Sequence, residues 1–216
     1  MIAFTFDDSF KTDLTVGLQK QLDLGIKPKG TSYVITSPTY RNPGRLSAED
    51  MIHMINLGWD IQCHTHTHPV GAGGLTVYTA EQLYQEMQNV NTFFNDELGI
   101  PAPEHHAYPG GSSNDLVVNV LKRFRKTMRG TQNFIVTDKP DWEQLPIYPY
   151  AKGDGYDPKK IVDLCAEKGT SAIFMIHELA DPQLRSDYED LLEYAVNSDV
   201  DLVTISELYN RLTRGK

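Results

Sequence analysis

Residues 2–8 read IAFTFDD, a short apolar run that ends in two carboxylates. The composition of residues 2–6 favours a strand, and Asp7 and Asp8 follow it directly. Adjacent residues of a strand point to opposite faces, so both aspartates can reach one centre only if the backbone turns where the strand ends. The segment therefore predicts a strand with two carboxylates at its C-terminal end. The alternative is an ordinary Asp-rich turn before a helix that starts near Phe10.

A short strand followed by a helix recurs along the whole chain. After residues 2–6, strands are predicted at 29–35, 59–63, 104–108, 126–129, 145–148, 172–176 and 202–205. About eight such alternations imply an α/β fold with parallel strands and right-handed crossovers, either an open doubly wound sheet or a barrel. Functional sites lie at the C-terminal ends of the strands in both architectures. We expect a single domain over residues 1–216.

The composition narrows the class of protein. The 216 residues are 40% hydrophobic and 23% charged, as in a globular domain, and they carry a net charge of −9. Such an acidic chain is poorly suited to non-specific binding of nucleic acid or of an anionic membrane. No apolar run approaches the roughly 20 residues of a membrane span, and two cysteines cannot form a disulfide framework. Because charge appears at Asp7, before any signal-peptide core, we expect a cytoplasmic protein or one exported with a leader outside this sequence.

Polar side chains stand where four of the predicted strands end. These are Asp7 and Asp8 after the first strand, the HTHTH run of residues 64–68 after the third, Tyr108-Pro109-Gly110-Gly111 after the fourth and His177 after the seventh. In a loop or a helical turn, His64 and His68 can hold one cation, whereas an extended chain would place His64, His66 and His68 on one face. The pattern therefore predicts a metal site, with the choice of two histidines from three left open.

One aspartate and two histidines would supply three ligands and leave one position free, as in catalytic zinc sites. A metal in such a site lowers the pKa of a bound water towards neutrality. Hydrolysis also needs a general base, a general acid and a hydrogen-bond donor for the oxyanion. The candidates are Asp7 as the base, His177 as the acid and the Gly110 N–H as the donor. These ligands suit Zn²⁺ and are compatible with Co²⁺, Ni²⁺ and Mn²⁺.

The motifs resemble those of the polysaccharide deacetylases, the NodB-homology or family-4 carbohydrate esterases. Residues 5–9 (TFDDS) resemble the first motif, TFDDG, with Ser9 in place of glycine; residues 64–69 (HTHTHP) fit H-[ST]-x-x-H; residues 107–111 (AYPGG) resemble the AYPxG variant of the third motif; and residues 173–177 (IFMIH) are similar to the fifth. The resemblance runs from residue 2 to about residue 205. It implies a distorted (β/α) barrel of seven or eight units.

The activity implied by the resemblance is metal-dependent removal of acetyl groups from N-acetylated, sometimes O-acetylated, sugars by a water activated at the metal. The same resemblance assigns Asp8, His64 and His68 as metal ligands, Asp7 as general base, His177 as general acid and the Gly110 amide as an oxyanion donor. The expected partner is an acetylated glycan or amino sugar, and no oligomeric state is predicted.

Two departures from the family pattern lead to further predictions. Many members carry an arginine in the third motif that pairs with the base, where this chain has Ala107. We predict that Arg129, at the end of the next strand, supplies this guanidinium; the alternative is a surface arginine in the basic run 122–129. The fourth motif normally provides an aspartate that tunes the acid histidine. Asp138 and Asp141 have the right residue type, but a plain surface loop is the competing interpretation.

Two other functions compete with deacetylation of sugars. One is an amidohydrolase acting on a small non-sugar amide, since relatives of this fold with similar motifs cleave ring amides. The other is a catalytically inactive relative that binds carbohydrate, against which the intact Asp7, Asp8, His64, His68 and His177 argue.

Overall fold

The computed structural model describes residues 1–153 and 155–214, and a closed barrel of parallel strands forms its centre. In chain order the strands are β1 (Ile2–Asp7), β2 (Thr31–Val34), β3 (Asp60–Cys63), β4 (His105–Ala107), β5 (Thr127–Asn133), β6 (Leu145–Pro149) and β7 (Ala172–Ile176). Strands adjacent in sequence are adjacent in the barrel, and β7 closes it against β1 with a register from Ile2–Ala172 to Phe6–Ile176. This closure confirms the predicted barrel and excludes the open sheet.

The helices of the described residues cover the outside of the barrel and one of its ends. They are α1 (Gln19–Asp23), α2 (Ala48–Asn56), α3 (Ala80–Asp96), α4 (Asp115–Leu121), α5 (Lys159–Lys168), α6 (Pro182–Val196) and α7 (Ile205–Arg214). A π-helical turn over Asp13–Leu18 leads into α1. Within the described residues, none of the helices combines the length and the apolar character that a membrane crossing requires.

The prediction of an eighth strand at residues 202–205 is wrong. Leu202 forms one isolated bridge with Ile2, and Ile205 already begins α7. The reason lies in β1: β2 pairs with it only from Thr5 onward, which leaves the edge of β1 free at Ile2. The segment uses that edge, with Val203 N–H donating to the Ile2 carbonyl at 2.9 Å, but β7 and β2 occupy the rest.

The N-terminal end of the barrel is closed by α7. The N–H of Ile205 donates to the Thr31 hydroxyl at 2.9 Å, and the Ser206 hydroxyl donates to the half-buried Asp60 at 2.9 Å. Tyr209 of the same helix packs against the Trp142 ring, with 4.9 Å between the ring centroids. Because this end is sealed, a ligand can approach the sheet only from the opposite end, where the strands have their carboxyl termini.

Candidate active site

The C-terminal end of the barrel holds a cavity of about 240 Å³ that gathers the polar residues from separate strand ends. The predicted site residues that line it are Asp7, Asp8, His64, His68, Gly110 and His177. Val70, Tyr108, Thr131 and Met175 complete the lining. Thr131 and Met175 were not predicted as site residues: Thr131 belongs to none of the quoted motifs, and Met175 lies within residues 173–177, where only His177 was singled out.

Asp8 and two histidines form a group with the geometry of a metal site. Asp8 Oδ1 lies 3.3 Å from His64 Nε2 and 3.0 Å from His68 Nε2, and one ligand atom from each residue falls within 4.8 Å of the others. Ligand atoms about 2.0–2.1 Å from a tetrahedral zinc lie roughly 3.3 Å apart. Neither contact has hydrogen-bond geometry, so Asp8 Oδ1 is buried without a hydrogen-bond partner among the described residues. A divalent cation would satisfy all three atoms.

The charge and the proton positions of this group also suit a cation. Burial alone would raise the pKa of Asp8. The adjacent His64 and His68 together lower it by more than burial raises it, so the pKa of Asp8 lies well below its ordinary value. His64 Nδ1 lies 2.8 Å from the Ala107 carbonyl oxygen. A carbonyl only accepts hydrogen bonds, so Nδ1 carries the proton and the Nε2 lone pair faces Asp8.

The structure distinguishes among the three histidines of the HTHTH run. His66 turns away from Asp8, and its Nδ1 lies 2.9 Å from the Thr36 hydroxyl. The loop bends between the other two histidines because Thr65 and His68 adopt left-handed backbone conformations, with φ of 69° and 53°. The His68 N–H donates to the Thr65 hydroxyl at 3.0 Å across this bend. His64 and His68 are therefore the pair that meets Asp8.

The serine that replaces the family's glycine has a structural role of its own. Asp8 and Ser9 both have positive φ, 72° and 60°, which turns the chain sharply after β1 and separates the directions of Asp7 and Asp8. The Ser9 hydroxyl accepts a hydrogen bond from the Ile35 N–H at 2.8 Å, beyond the end of β2. The Asp8 carbonyl accepts from the Arg45 guanidinium. The turn is thus held from two neighbouring segments.

Arg129 lies on the carboxylate of Asp7. Its side chain is fully buried in β5, and its Nη2 lies 2.5 Å from both Asp7 oxygens while Nη1 donates to the Gly130 carbonyl at 3.0 Å. Arg129 pairs in register with Ala107 of β4, so the guanidinium comes from the neighbouring strand at the same level. The alternative of a surface arginine is excluded. A single nitrogen, Nη2, bridges both oxygens of the carboxylate, so the contact is not one in which two guanidinium nitrogens each meet one oxygen.

Gly110 and His177 line the same cavity from the strands next to β3 and β1. Gly110 belongs to the turn Pro109–Gly111 and has a φ of 58°, a conformation that glycine adopts without strain. His177 follows β7 directly, and its side chain is exposed. In the parts of the chain that the structure describes, the His177 imidazole makes no hydrogen bond to another side chain.

Asp138 and Asp141 do not line this cavity. The segment after β5 crosses to the sealed end of the barrel, where the Val136 N–H donates to Ser171 just before β7 and the Trp142 carbonyl accepts from Met128 near the start of β5. Asp141 immediately precedes Trp142, so its carboxylate is at the wrong end to tune His177. The interpretation of this segment as a surface loop fits the structure.

Glu86 is the residue behind the site that the sequence analysis missed. It belongs to α3, is buried, and accepts hydrogen bonds from the loop that carries His64 and His68. The available signal was its position on the apolar face of the helix, one turn after Leu83 and beside Met87. A carboxylate at such a position needs polar partners from outside its own helix.

Solved structures of deacetylases and of a related pseudoenzyme have a similar fold. The chain is 24% identical to a deacetylase, PplD, of Streptococcus pyogenes, with 66% of this chain and 61% of that chain aligned and a TM-score of 0.58. It is 19% identical to the peptidoglycan deacetylase PdaC of Bacillus subtilis, solved as a mutant, with 100% and 92% coverage and a TM-score of 0.63. A family-4 carbohydrate esterase pseudoenzyme of Bacillus anthracis is 13% identical, with 96% and 64% coverage and a TM-score of 0.65.

At these identities the structural matches show the fold alone, and the chain spans 61% of the streptococcal protein's length. No curated protein matches the chain significantly. The sequence model of the family described as polysaccharide deacetylase matches residues 1–128, which include β1, β3 and β4 with the motifs at their ends. This match covers more than half of the sequence, and the chain therefore belongs to the polysaccharide deacetylase family.

Proposed function

We propose that this chain is a metal-dependent deacetylase that removes acetyl groups from N-acetylated or O-acetylated sugars, with its described residues acting as one catalytic domain. The observation that carries the proposal is the meeting of Asp8, His64 and His68 in one small cavity that Asp7 and His177 also line. The fold by itself does not distinguish an active enzyme from an inactive relative, because the Bacillus anthracis pseudoenzyme has a similar fold.

Asp8, His64 and His68 would hold the divalent cation. Zn²⁺ fits the three donor atoms best, and Co²⁺, Ni²⁺ or Mn²⁺ are alternatives for the same ligands. When bound, the cation supplies a Lewis acid for the acetyl carbonyl and lowers the pKa of a water molecule.

The remaining steps fall to side chains and backbone of this chain. Asp7 accepts the proton of the attacking water, and Arg129 holds the Asp7 carboxylate in place. The Gly110 N–H donates to the oxygen that becomes negatively charged as water adds to the carbonyl. His177 then gives a proton to the departing amine nitrogen or alcohol oxygen, so that the bond to the acyl carbon breaks and acetate leaves.

A groove beside the cavity supports a sugar as substrate. It has a volume of about 480 Å³, shares Val70 and Gly110 with the catalytic cavity, and is lined by residues 70–74 and 109–113 together with Thr76. Glycines and small hydroxyl side chains dominate this lining, and no charged side chain of the described residues contributes to it. An anchor for a small charged acid, which a non-sugar amidohydrolase would need, is not part of this groove.

Acetate release tests the proposal directly. The protein would be incubated with chitooligosaccharides, peptidoglycan fragments and acetylated xylan, each with and without a chelator. We expect chelator-sensitive acetate release from at least one of these glycans. Release from small cyclic amides alone would favour the amidohydrolase, and glycan binding with no release from any substrate would identify an inactive relative.

A further inference from the structure

The carboxylate of Glu86 lies behind the loop of residues 64–68 and contacts it at three points. Glu86 is 6% exposed and belongs to α3. Its Oε2 accepts from the N–H of His66 at 2.8 Å and of Thr67 at 2.9 Å, and its Oε1 accepts from the Thr67 hydroxyl at 2.6 Å. All the hydrogen bonds that the structure gives this side chain go to the loop.

The loop needs such an acceptor because its backbone is irregular. Thr65 and His68 have positive φ, so the segment between them cannot continue β3 or start a helix. The N–H groups of His66 and Thr67 point to the same side and converge on one oxygen. Successive N–H groups arranged in this way form a concave anion site, and Glu86 fills it.

Packing of α3 does not explain a glutamate at this position. The neighbours of Glu86 on the inner face of the helix are the buried apolar residues Leu83, Met87 and Val90. A buried carboxylate without hydrogen bonds is costly, and an apolar residue would suit that face better. The hydrogen bonds to the loop therefore offset the cost of burying the carboxylate. The structural role of Glu86 is to hold this loop.

Glu86 holds the part of the loop that connects the two histidines facing Asp8. At one end, the His64 N–H donates to the Val34 carbonyl at 2.9 Å, which continues the pairing of β3 with β2. In the middle, the His66 carbonyl accepts from the Ser37 N–H at 3.0 Å, a partner other than Glu86. Residues 66 and 67 are thus fixed from both sides, and their position sets the distance between the two imidazoles.

We propose that Glu86 is a positioning residue for the metal centre, which fixes the backbone of residues 66–67 so that His64 and His68 meet Asp8. The inference rests on the proposed metal site and adds a residue outside the family motifs quoted above. Glu86 acts through its hydrogen bonds, and its negative charge is not the essential property.

The test is the affinity of the metal-free protein for Zn²⁺, measured by calorimetry with a competing chelator. Glu86→Ala removes all three hydrogen bonds, and we expect Zn²⁺ binding to weaken by about 10–100-fold, the usual range for residues that orient metal ligands. Glu86→Gln keeps an oxygen for both N–H groups and an amide that can donate to the Thr67 hydroxyl, so affinity should stay within about threefold of the wild type. Glu81→Gln, an exposed glutamate in the first turn of the same helix, is the control for lost charge.

Thr67→Val provides a variant that does not disturb the core, because Thr67 is exposed. It removes one of the three hydrogen bonds and should weaken Zn²⁺ binding by about fivefold, with no further loss when combined with Glu86→Ala. Wild-type affinity in Glu86→Ala, or equal losses in Glu86→Ala and Glu86→Gln, would overturn the inference and leave the proposed function standing. A wild-type protein that binds no divalent metal would overturn both.

Discussion

The two sides of the candidate cavity differ in how firmly the protein holds their side chains. On the side of β1 and β3, Asp7 is held by the buried Arg129 and His64 by the Ala107 carbonyl, and Asp8 is fixed by the backbone turn that follows β1. On the side of β7, His177 is exposed and has no side-chain hydrogen bond in the described residues. Most of the proposed metal and base residues are thus fixed by the protein alone, whereas the proposed acid, His177, is not held by another side chain of the described residues. Substitutions on the two sides should therefore fail in different ways.

The largest effect is expected from loss of a metal ligand. His68→Ala should reduce acetate release to the uncatalysed level and abolish tight Zn²⁺ binding, because one of three ligands is removed. The free energy of unfolding of the metal-free protein should change by less than about 1 kcal/mol, since His68 is not part of the core. His66→Gln is the matched control in the same loop and should bind one Zn²⁺. Loss of binding in His66→Gln with retention in His68→Ala would reverse the assignment.

Asp7→Asn should reduce turnover without reducing metal binding. The amide cannot accept the proton of the attacking water, so turnover should fall by about 10²–10⁴-fold. Calorimetry should still detect one bound Zn²⁺, because Asp7 faces Arg129 and not the two histidines. A variant with most of its activity would show that Asp7 is a structural turn residue and that the base lies elsewhere.

His177→Ala should affect the acid side alone. Turnover of an N-acetylated sugar should fall by about 10²-fold, because the amine must be protonated as it leaves. Hydrolysis of 4-nitrophenyl acetate, whose phenolate leaves without protonation, should change by less than about threefold. Zn²⁺ affinity and the melting temperature should match the wild type. Equal losses on both substrates would mean that His177 has a role other than proton donation.

Arg129 should combine a modest effect on activity with a large effect on stability. In Arg129→Lys one ammonium can replace the single bridging nitrogen, but the bond to the Gly130 carbonyl is lost, and turnover should drop by about tenfold. Arg129→Met leaves Asp7 buried without a partner and should lower the free energy of unfolding by about 3–5 kcal/mol. Adding Asp7→Asn to Arg129→Met should restore part of that loss.

Arg123→Met, an exposed arginine six residues earlier, is the control for these Arg129 variants. Urea denaturation would give the free energies. Equal stability of Arg129→Met and Arg123→Met would contradict a structural ion pair at the base.

The smallest effect concerns the sealed end of the barrel and should leave activity unchanged. Burial lowers the pKa of His105 to about 4, whereas a histidine in an unfolded chain has a pKa near 6.5. As pH falls from 6.5 towards 4, the unfolded chain binds a proton that the folded protein excludes, so stability falls by at most about 3 kcal/mol. His105→Gln should flatten this decline in urea denaturation from pH 7 to pH 4.5. The exposed His53→Gln should not, and parallel curves for all three proteins would rule out His105 as a source of the decline.

The chemistry at the strand ends could be predicted because each part is local in sequence. An apolar run followed by Asp7 and Asp8, or by the HTHTH run, predicts both a strand and the polar side chains at its C-terminal end. The family and the barrel predicted from these motifs are confirmed. The roles of the individual side chains stay predictions that the experiments above address.

The features that sequence reasoning missed depend on distant pairing. Whether residues 202–205 form a strand is decided by β7 and β2, which occupy the edges of β1. The direction of His66 is set by the Thr36 hydroxyl and by Glu86, which lie in other segments. The segment that contains Asp138 runs to the sealed end because Val136 pairs with Ser171. None of these partners can be identified from local composition.

Titration of the metal-free protein with Zn²⁺, followed by acetate release from an N-acetylglucosamine oligomer, tests the metal site most directly. Activity should be absent after chelation and should rise linearly to a plateau at one equivalent of Zn²⁺ in the wild type, with no rise in His64→Ala. Full activity in the presence of the chelator, or the same titration curve in His64→Ala, would contradict a catalytic cation held by Asp8, His64 and His68.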